Sequence, residues 1–211
     1  MEYIDFFLKA FIAIFIIIDP PGNIPLYISF TESTTEEERK SISNKAILIG
    51  VSILLIITVT GSVILDVFRI TLDGLRIAGG ILLFVISVDI LFGGRRKREY
   101  LEENHEVMGT IDTDSIATFP IALPLYTGPG AITASIVLYS TAQDVVLKLL
   151  VLLSIVVTYL IVKITHVYSE NILKVLGKSG SNIIAKLMAI FLAAIAVEYF
   201  FAGILGKIAL I

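Results

Sequence analysis

Long apolar runs, set apart by short clusters of charge, restrict what this chain can fold into more than any other feature. Charged residues gather at about 32–45, 66–76, 95–114 and 163–186. The stretches between them reach the roughly 20 apolar residues that an α-helix needs to cross the ~30 Å hydrocarbon layer of a bilayer. A water-soluble domain has no use for so many: 56% of the 211 residues are hydrophobic and only 17% are charged, against an apolar share of about 45–50% in ordinary soluble proteins. No alternation of apolar and polar residues runs through segments of about ten residues, so a transmembrane barrel is excluded. The expected fold class is all-α, a polytopic membrane protein.

Six spans are expected, at 4–30, 42–65, 73–94, 116–141, 144–166 and 182–206, with a charged linker at 95–115. Asp73, Asp144 and Asn182 stand where helix N-caps belong. The whole chain, 1–211, reads as one transmembrane domain. Glu2 and Asp5 precede the first apolar run, and neither a basic leader nor a small-residue cleavage pattern accompanies it, so a removable signal peptide is not expected. The linkers after the first, third and fifth spans carry most of the positive charge, including the run Arg95, Arg96, Lys97 and Arg98. Positive charge marks the cytoplasmic side, which predicts a multi-pass protein of the cell membrane with both termini outside. His105 and His166 are expected outside the spans, and His166 and the eight tyrosines at the membrane interface.

The two halves of the chain echo one another. Pro21 and Gly22 align with Pro129 and Gly130, and in the same arrangement "GGILLFVISVDILFGG" at 79–94 falls close to register on "MAIFLAAIAVEYFFAG" at 188–203, acid Asp89 meeting acid Glu198. Apolar matches arise by chance; an acid on an acid and a Pro-Gly on a Pro-Gly do so far less often. The expected halves are 4–94 and 116–206. Three spans per half is an odd number, so the second copy enters the membrane from the opposite side, the inverted-repeat plan of secondary transporters.

Within that plan, "IIIDPPGNIP" and "ALPLYTGPGAIT" break the first and fourth spans. Proline removes an amide hydrogen and clashes with the preceding turn, while glycine permits irregular backbone. Non-helical backbone at membrane depth is tolerated only where it is buried in protein or lines a watery cavity. Helices restarting at about Asn23 and Ala131 present amides suited to a carboxylate, and the ends at Asp19 and Thr127 present carbonyls, with Asp19 itself an anion suited to an ammonium group or a proton. Opposed ends of this kind fit a zwitterion. The candidate substrate-binding residues are Asp19, Pro21, Gly22, Asn23, Thr127, Gly128, Gly130, Ala131 and Thr133. The candidate proton-coupling residues are the intramembrane acids Asp19, Asp89 and Glu198. The competing interpretation is that both breaks are proline kinks satisfied by neighbouring helices, with Asn23, Thr127 and Thr133 as caps or interhelical contacts and Asp89 in a snorkelling ion pair with Arg95.

"IDPPGNIPLYIS", "LRIAGGILLF", "PIALPLYTGPGAIT" and "AIAVE", in this order over nearly the whole chain, resemble the MarC family of integral membrane proteins. Asp19, Gly22, Asn23, Gly128, Pro129 and Gly130 match the family motifs, and Pro21 departs from them. The resemblance implies six helices and, for the SnatA branch of small neutral amino acid transporters, uptake of glycine and alanine driven by a proton or ion gradient. Expected partners are thus a small neutral amino acid, protons or cations and the lipid bilayer, with a homo-oligomer open.

Other function classes have less support. Neither HExxH nor GxSxG occurs, so a membrane enzyme is not expected. Cysteine is absent, which removes disulfides, thiol catalysis and cysteine metal sites, and no cofactor or metal is expected. A net charge of −3 gives nucleic acid no electrostatic hold. A passive channel, an exporter of another small solute, or a membrane scaffold remain as alternatives.

Overall fold

A computed structural model describes residues 2–32, 34–92 and 113–209. The linker expected at 95–115 lies outside the described residues up to 112, as do Gly94, the basic run and His105. Among the described residues the elements are all helical: α1 Glu2–Ile18, α2 Ile24–Phe30, α3 Glu36–Val67, α4 Leu72–Leu91, α5 Thr113–Ile116, a π-helix Ala117–Tyr126, α6 Pro129–Thr141, α7 Val145–Val167 and α8 Ser169–Ile208. Four stretches are long and apolar enough to cross a membrane, Glu36–Val67, Leu72–Leu91, Val145–Val167 and Ser179–Ile208. The chain is an integral, multi-pass membrane protein.

Local chemistry sets the helix ends. Thr35 and Glu38 form a reciprocal capping box at the start of α3, the Thr35 hydroxyl accepting from the Glu38 amide and the Glu38 carboxylate accepting from the Thr35 amide. Asp144 caps α7 by accepting from the Leu147 amide at 2.8 Å, as its position predicts. The other two expected caps are corrected. Thr71, not Asp73, caps α4, accepting from the Gly74 amide at 3.1 Å, while Asp73 sits inside the first turn and pairs with Arg76 at 2.7 Å. Asn182 lies within α8, because the break there comes earlier, at Gly177. At φ 64 that residue occupies the left-handed region that glycine alone enters without cost, and it separates a short leading piece of α8 from the span.

Packing is inverted relative to a soluble protein. Ile56 (61%), Val63 (62%) and Phe92 (84%) are exposed on the outside, whereas Thr58, Ser87, Ser154 and Thr158 are fully buried. Each of these hydroxyls bonds a carbonyl of its own helix, Thr158 to Ser154 at 2.8 Å for example, so none of the four is left bare among apolar neighbours. Small residues bring helices together where apolar burial gives no advantage over lipid. The α4–α8 interface is the most extensive among the described residues: a Cβ at Gly80 would stand 2.7 Å from the Ala196 carbonyl oxygen, and one at Gly203 would stand 2.7 Å from that of Asp73. α1 packs on α7, α3 packs on the π-helix, α6 and α7, and α4 also meets α6. Ion pairs from Arg39 to Glu170 and from Lys45 to Asp114 tie the start of α3 to the starts of α8 and α5, gathering these ends on one face.

Gly80→Val is expected to force α4 from α8 and cost about 1–3 kcal/mol, in the range for overpacking. Thermal unfolding of the detergent-solubilised protein should show this as a lowered midpoint, with Ile56→Val near wild type.

Candidate functional site

The first interruption is a compact turn. α1 ends at Ile18, and Asp19 takes a left-handed backbone (φ 48) that is uncommon outside glycine, asparagine and aspartate. Its carboxylate folds back, Oδ1 accepting from the Gly22 amide at 3.1 Å. The Asn23 amide donates to the Asp19 carbonyl at 3.1 Å, and the Asn23 side chain donates to the Ile18 carbonyl at 2.8 Å. This differs from the expectation that helix-end carbonyls stand open at Asp19: most of the turn satisfies itself. Gly22 is required by space, since a Cβ there would lie 2.0 Å from Asp19 Oδ2.

The second interruption is built otherwise. The sequence at 117–126 contains Pro120 and Pro124 and winds as a π-helix, a form that is rare and gathers at functional sites. It closes with the Thr127 amide donating to the Ala122 carbonyl at 3.0 Å. Gly128 is extended and, having no side chain, offers α6 no cap. Pro129 opens α6, and the amides of Gly130 and Ala131 fall in its first turn, where the helix carries partial positive charge. The restart is thus at Pro129 rather than Ala131, and in the first half at Ile24 rather than Asn23.

Both interruptions open on one cavity of about 360 Å³. Asp19 and Asn23 line it from the first, Gly128, Pro129, Gly130 and Ala131 from the second, and Asp89 from α4. The remaining wall is mostly apolar, with Ile17, Leu83, Met188 and Leu192 among it. Gly130 is pressed by Leu83, whose Cδ2 would lie 2.4 Å from an added Cβ. The expected residues do not all gather here. Pro21 and Gly22 form the turn behind Asp19 without lining the cavity. Thr127 turns away to Tyr159 Oη at 2.5 Å and the Gly50 carbonyl at 3.3 Å. Thr133 fills the space left by Gly79, its Cγ2 1.9 Å from where a Cβ would be. Glu198 is exposed on α8 and is not part of the cavity wall.

The expectation that His166 and the tyrosines sit at the interface is corrected for His166, Tyr27, Tyr126 and Tyr159, while Tyr3 and Tyr168 are exposed near helix ends and Tyr100 lies outside the described residues. His166 is 3% exposed and stacks on Tyr27, with ring centroids 3.6 Å apart and planes 4° from parallel. Its Nδ1 meets Ser43 Oγ at 3.0 Å and its Nε2 meets Tyr126 Oη at 2.8 Å. Tyr27, Tyr126 and Tyr159 are all buried, each with a partner for its hydroxyl, as buried tyrosines require. A sequence signal existed: Pro-Leu-Tyr occurs beside each interruption, at 25–27 and 124–126.

Comparison with known proteins agrees with this architecture. The family described as MarC family integral membrane protein matches residues 4–208. A UPF0056 membrane protein of Archaeoglobus fulgidus is 55% identical over 98% of this chain and 95% of its own length. The UPF0056 membrane protein MJ1677 of Methanocaldococcus jannaschii is 37% identical over 97% and 98% of the two chains, and YvbG of Bacillus subtilis is 31% identical over 96% and 95%. No solved structure matches.

If Gly22 exists to admit the Asp19 carboxylate, Gly22→Ala should destabilise the protein by about 1–3 kcal/mol. Asp19→Gly, which removes the carboxylate and suits the backbone, should then rescue part of that loss. A double-mutant cycle by thermal unfolding is expected to give a coupling of at least ~1 kcal/mol.

Proposed function

Because the chain belongs to the MarC family of integral membrane proteins, we propose that it is a secondary transporter of small neutral amino acids, glycine and alanine, driven by a proton or ion gradient. The observation that carries this reading is the single cavity bounded by both helix interruptions and by Asp89. A zwitterion has one charge for each side of it. The substrate carboxylate would take the amides of Gly130 and Ala131 at the start of α6, and its ammonium group the Asp19 carboxylate. The apolar wall around Leu83 and Leu192 suits a hydrogen or methyl side chain and offers nothing to a charged one.

Alternating access would follow from two inverted three-helix halves, α1 to α4 and α5 to α8. The packing supports such a pairing. Under exchange of halves, α1 on α7 corresponds to the π-helix and α6 on α3, α4 on α6 corresponds to α8 on α1 and α2, and α4 on α8 maps onto itself. Loop charge supports an orientation with the Arg39, Lys45 and Lys163 ends in the cytoplasm and both termini outside, in the cell membrane. Asp19 and Asp89 face the cavity and are the coupling acids favoured by position; Glu198 faces outward.

Radiolabelled glycine and alanine should enter proteoliposomes, with accumulation raised by an inward proton gradient. Gly130→Leu, which fills the cavity beside Leu83, should cut uptake by at least ~10-fold, and Asp89→Asn should weaken the gradient's effect more than Glu198→Gln. Absence of uptake for any small zwitterion would sink the reading, and unsaturable conductance would favour a channel.

A further inference from the structure

A second volume lies near the cavity. A polar cleft of about 440 Å³ is lined by Glu36, Arg39, His166, Ser169 and Glu170, at the face where the ends of α3, α7 and α8 meet. The buried imidazole of His166 borders this cleft and hydrogen-bonds Tyr126, which borders the central cavity. We propose that Lys163, Ser43, His166 and Tyr126 form a proton relay joining the cytoplasmic surface to the central cavity. The inference rests on the proton-coupled transport reading and names the path its protons would take.

The hydrogen bonds form a continuous chain. Lys163 Nζ donates to Ser43 Oγ at 3.1 Å, and an ammonium group has donors only. Ser43 Oγ, which carries a second lone pair and a rotatable hydrogen, meets His166 Nδ1 at 3.0 Å. Either tautomer of the neutral ring suits these partners; in the Nε2–H form Ser43 donates to Nδ1 and Nε2–H donates to Tyr126 Oη, 2.8 Å away. In that form the Tyr126 hydroxyl keeps its own hydrogen for a further acceptor, and Tyr126 and Asp19 both line the cavity. One transfer breaks an N–H bond at Lys163 and forms an O–H bond at Ser43. It continues as Ser43 to Nδ1, Nε2 to Tyr126, and Tyr126 to the Asp19 carboxylate or a cavity water. Lys163 regains its proton from bulk water, and reorientation of the hydroxyls and a change of His166 tautomer reset the chain.

The surroundings hold the ring in place. Tyr27 of α2 stacks on the imidazole and donates its hydroxyl to the Arg39 carbonyl at 3.1 Å, so it acts as a positioning residue. The titratable and charged groups around His166 are Tyr27 from α2, Glu36 and Arg39 from α3, Tyr126 from the π-helix, Lys163 on its own helix and Glu170 from α8. A cluster serving only to join helices would need neither end to reach a separate polar or solute-holding volume; this one reaches two.

The test uses proteoliposomes loaded with a pH-sensitive dye, with a potassium diffusion potential drawing protons inward, with and without alanine, and radiolabelled alanine exchange measured in parallel. Ser43→Ala and His166→Phe, the latter keeping a flat ring against Tyr27, should slow proton entry at least ~10-fold while exchange stays within roughly twofold. Ser43→Thr, which keeps the hydroxyl, should restore entry. If alanine does not move but proton entry still depends on Ser43 and His166, the transport reading fails and the relay stands. Three results overturn the relay: variants that admit protons like wild type, a wild type that admits none in either condition, or exchange and proton entry lost together.

Discussion

The need to pair every peptide group away from water governs this molecule. In hydrocarbon an unpaired amide or carbonyl costs several kcal/mol by order of magnitude, so a break in a spanning helix demands compensation. The two breaks find it differently. At the first, the Asp19 carboxylate and the Asn23 side chain act as local stand-ins for missing backbone partners. At the second, π winding carries the chain past Pro120 and Pro124, Thr127 leans on Tyr159 and Gly50, and α6 opens without a side-chain cap, its first residues lining the cavity. The cavity's chemistry follows from this asymmetry: one wall presents an acid and the other the positive end of a helix.

Much of this was written in composition and spacing. The apolar runs, the Pro-Gly pairs and the acid at 89 were enough to predict helices, two interruptions and a shared space, because each rests on a cost that depends on residue type alone. Helix ends were less legible. Asp73 resembles a cap, yet Thr71 does the capping, and competition between neighbouring hydroxyl and carboxylate groups is settled by backbone angles. The depth of a side chain was hardest to read. His166 lies next to a charged segment in the sequence and still ends up buried, because α2, α3 and the π-helix, distant along the chain, close over it. Glu198 looked deep and faces outward, since the small residues of α8 turn another face to α4.

Glycine acts here mainly through contact. Gly79 receives Thr133, Gly80 nearly touches the α8 backbone, and Gly50 admits Tyr159. Where lipid competes equally for apolar surface, such close approaches give helices their specificity through dispersion contacts and short polar links. The closely packed α4–α8 pair and the interrupted segments therefore sit side by side around the cavity.

One part of the cavity wall, Leu125 and Tyr126, belongs to the π-helix. Bonding from each residue to the fifth before it places more residues in every turn than α winding does, so the segment is shorter than its sequence allows. Unwinding that surplus would lengthen the strut and swivel Tyr126 about its axis, while the clasp between Lys45 and Asp114 keeps the far end moored. Slack of this kind gives the chain travel in hand without a hinge or loop.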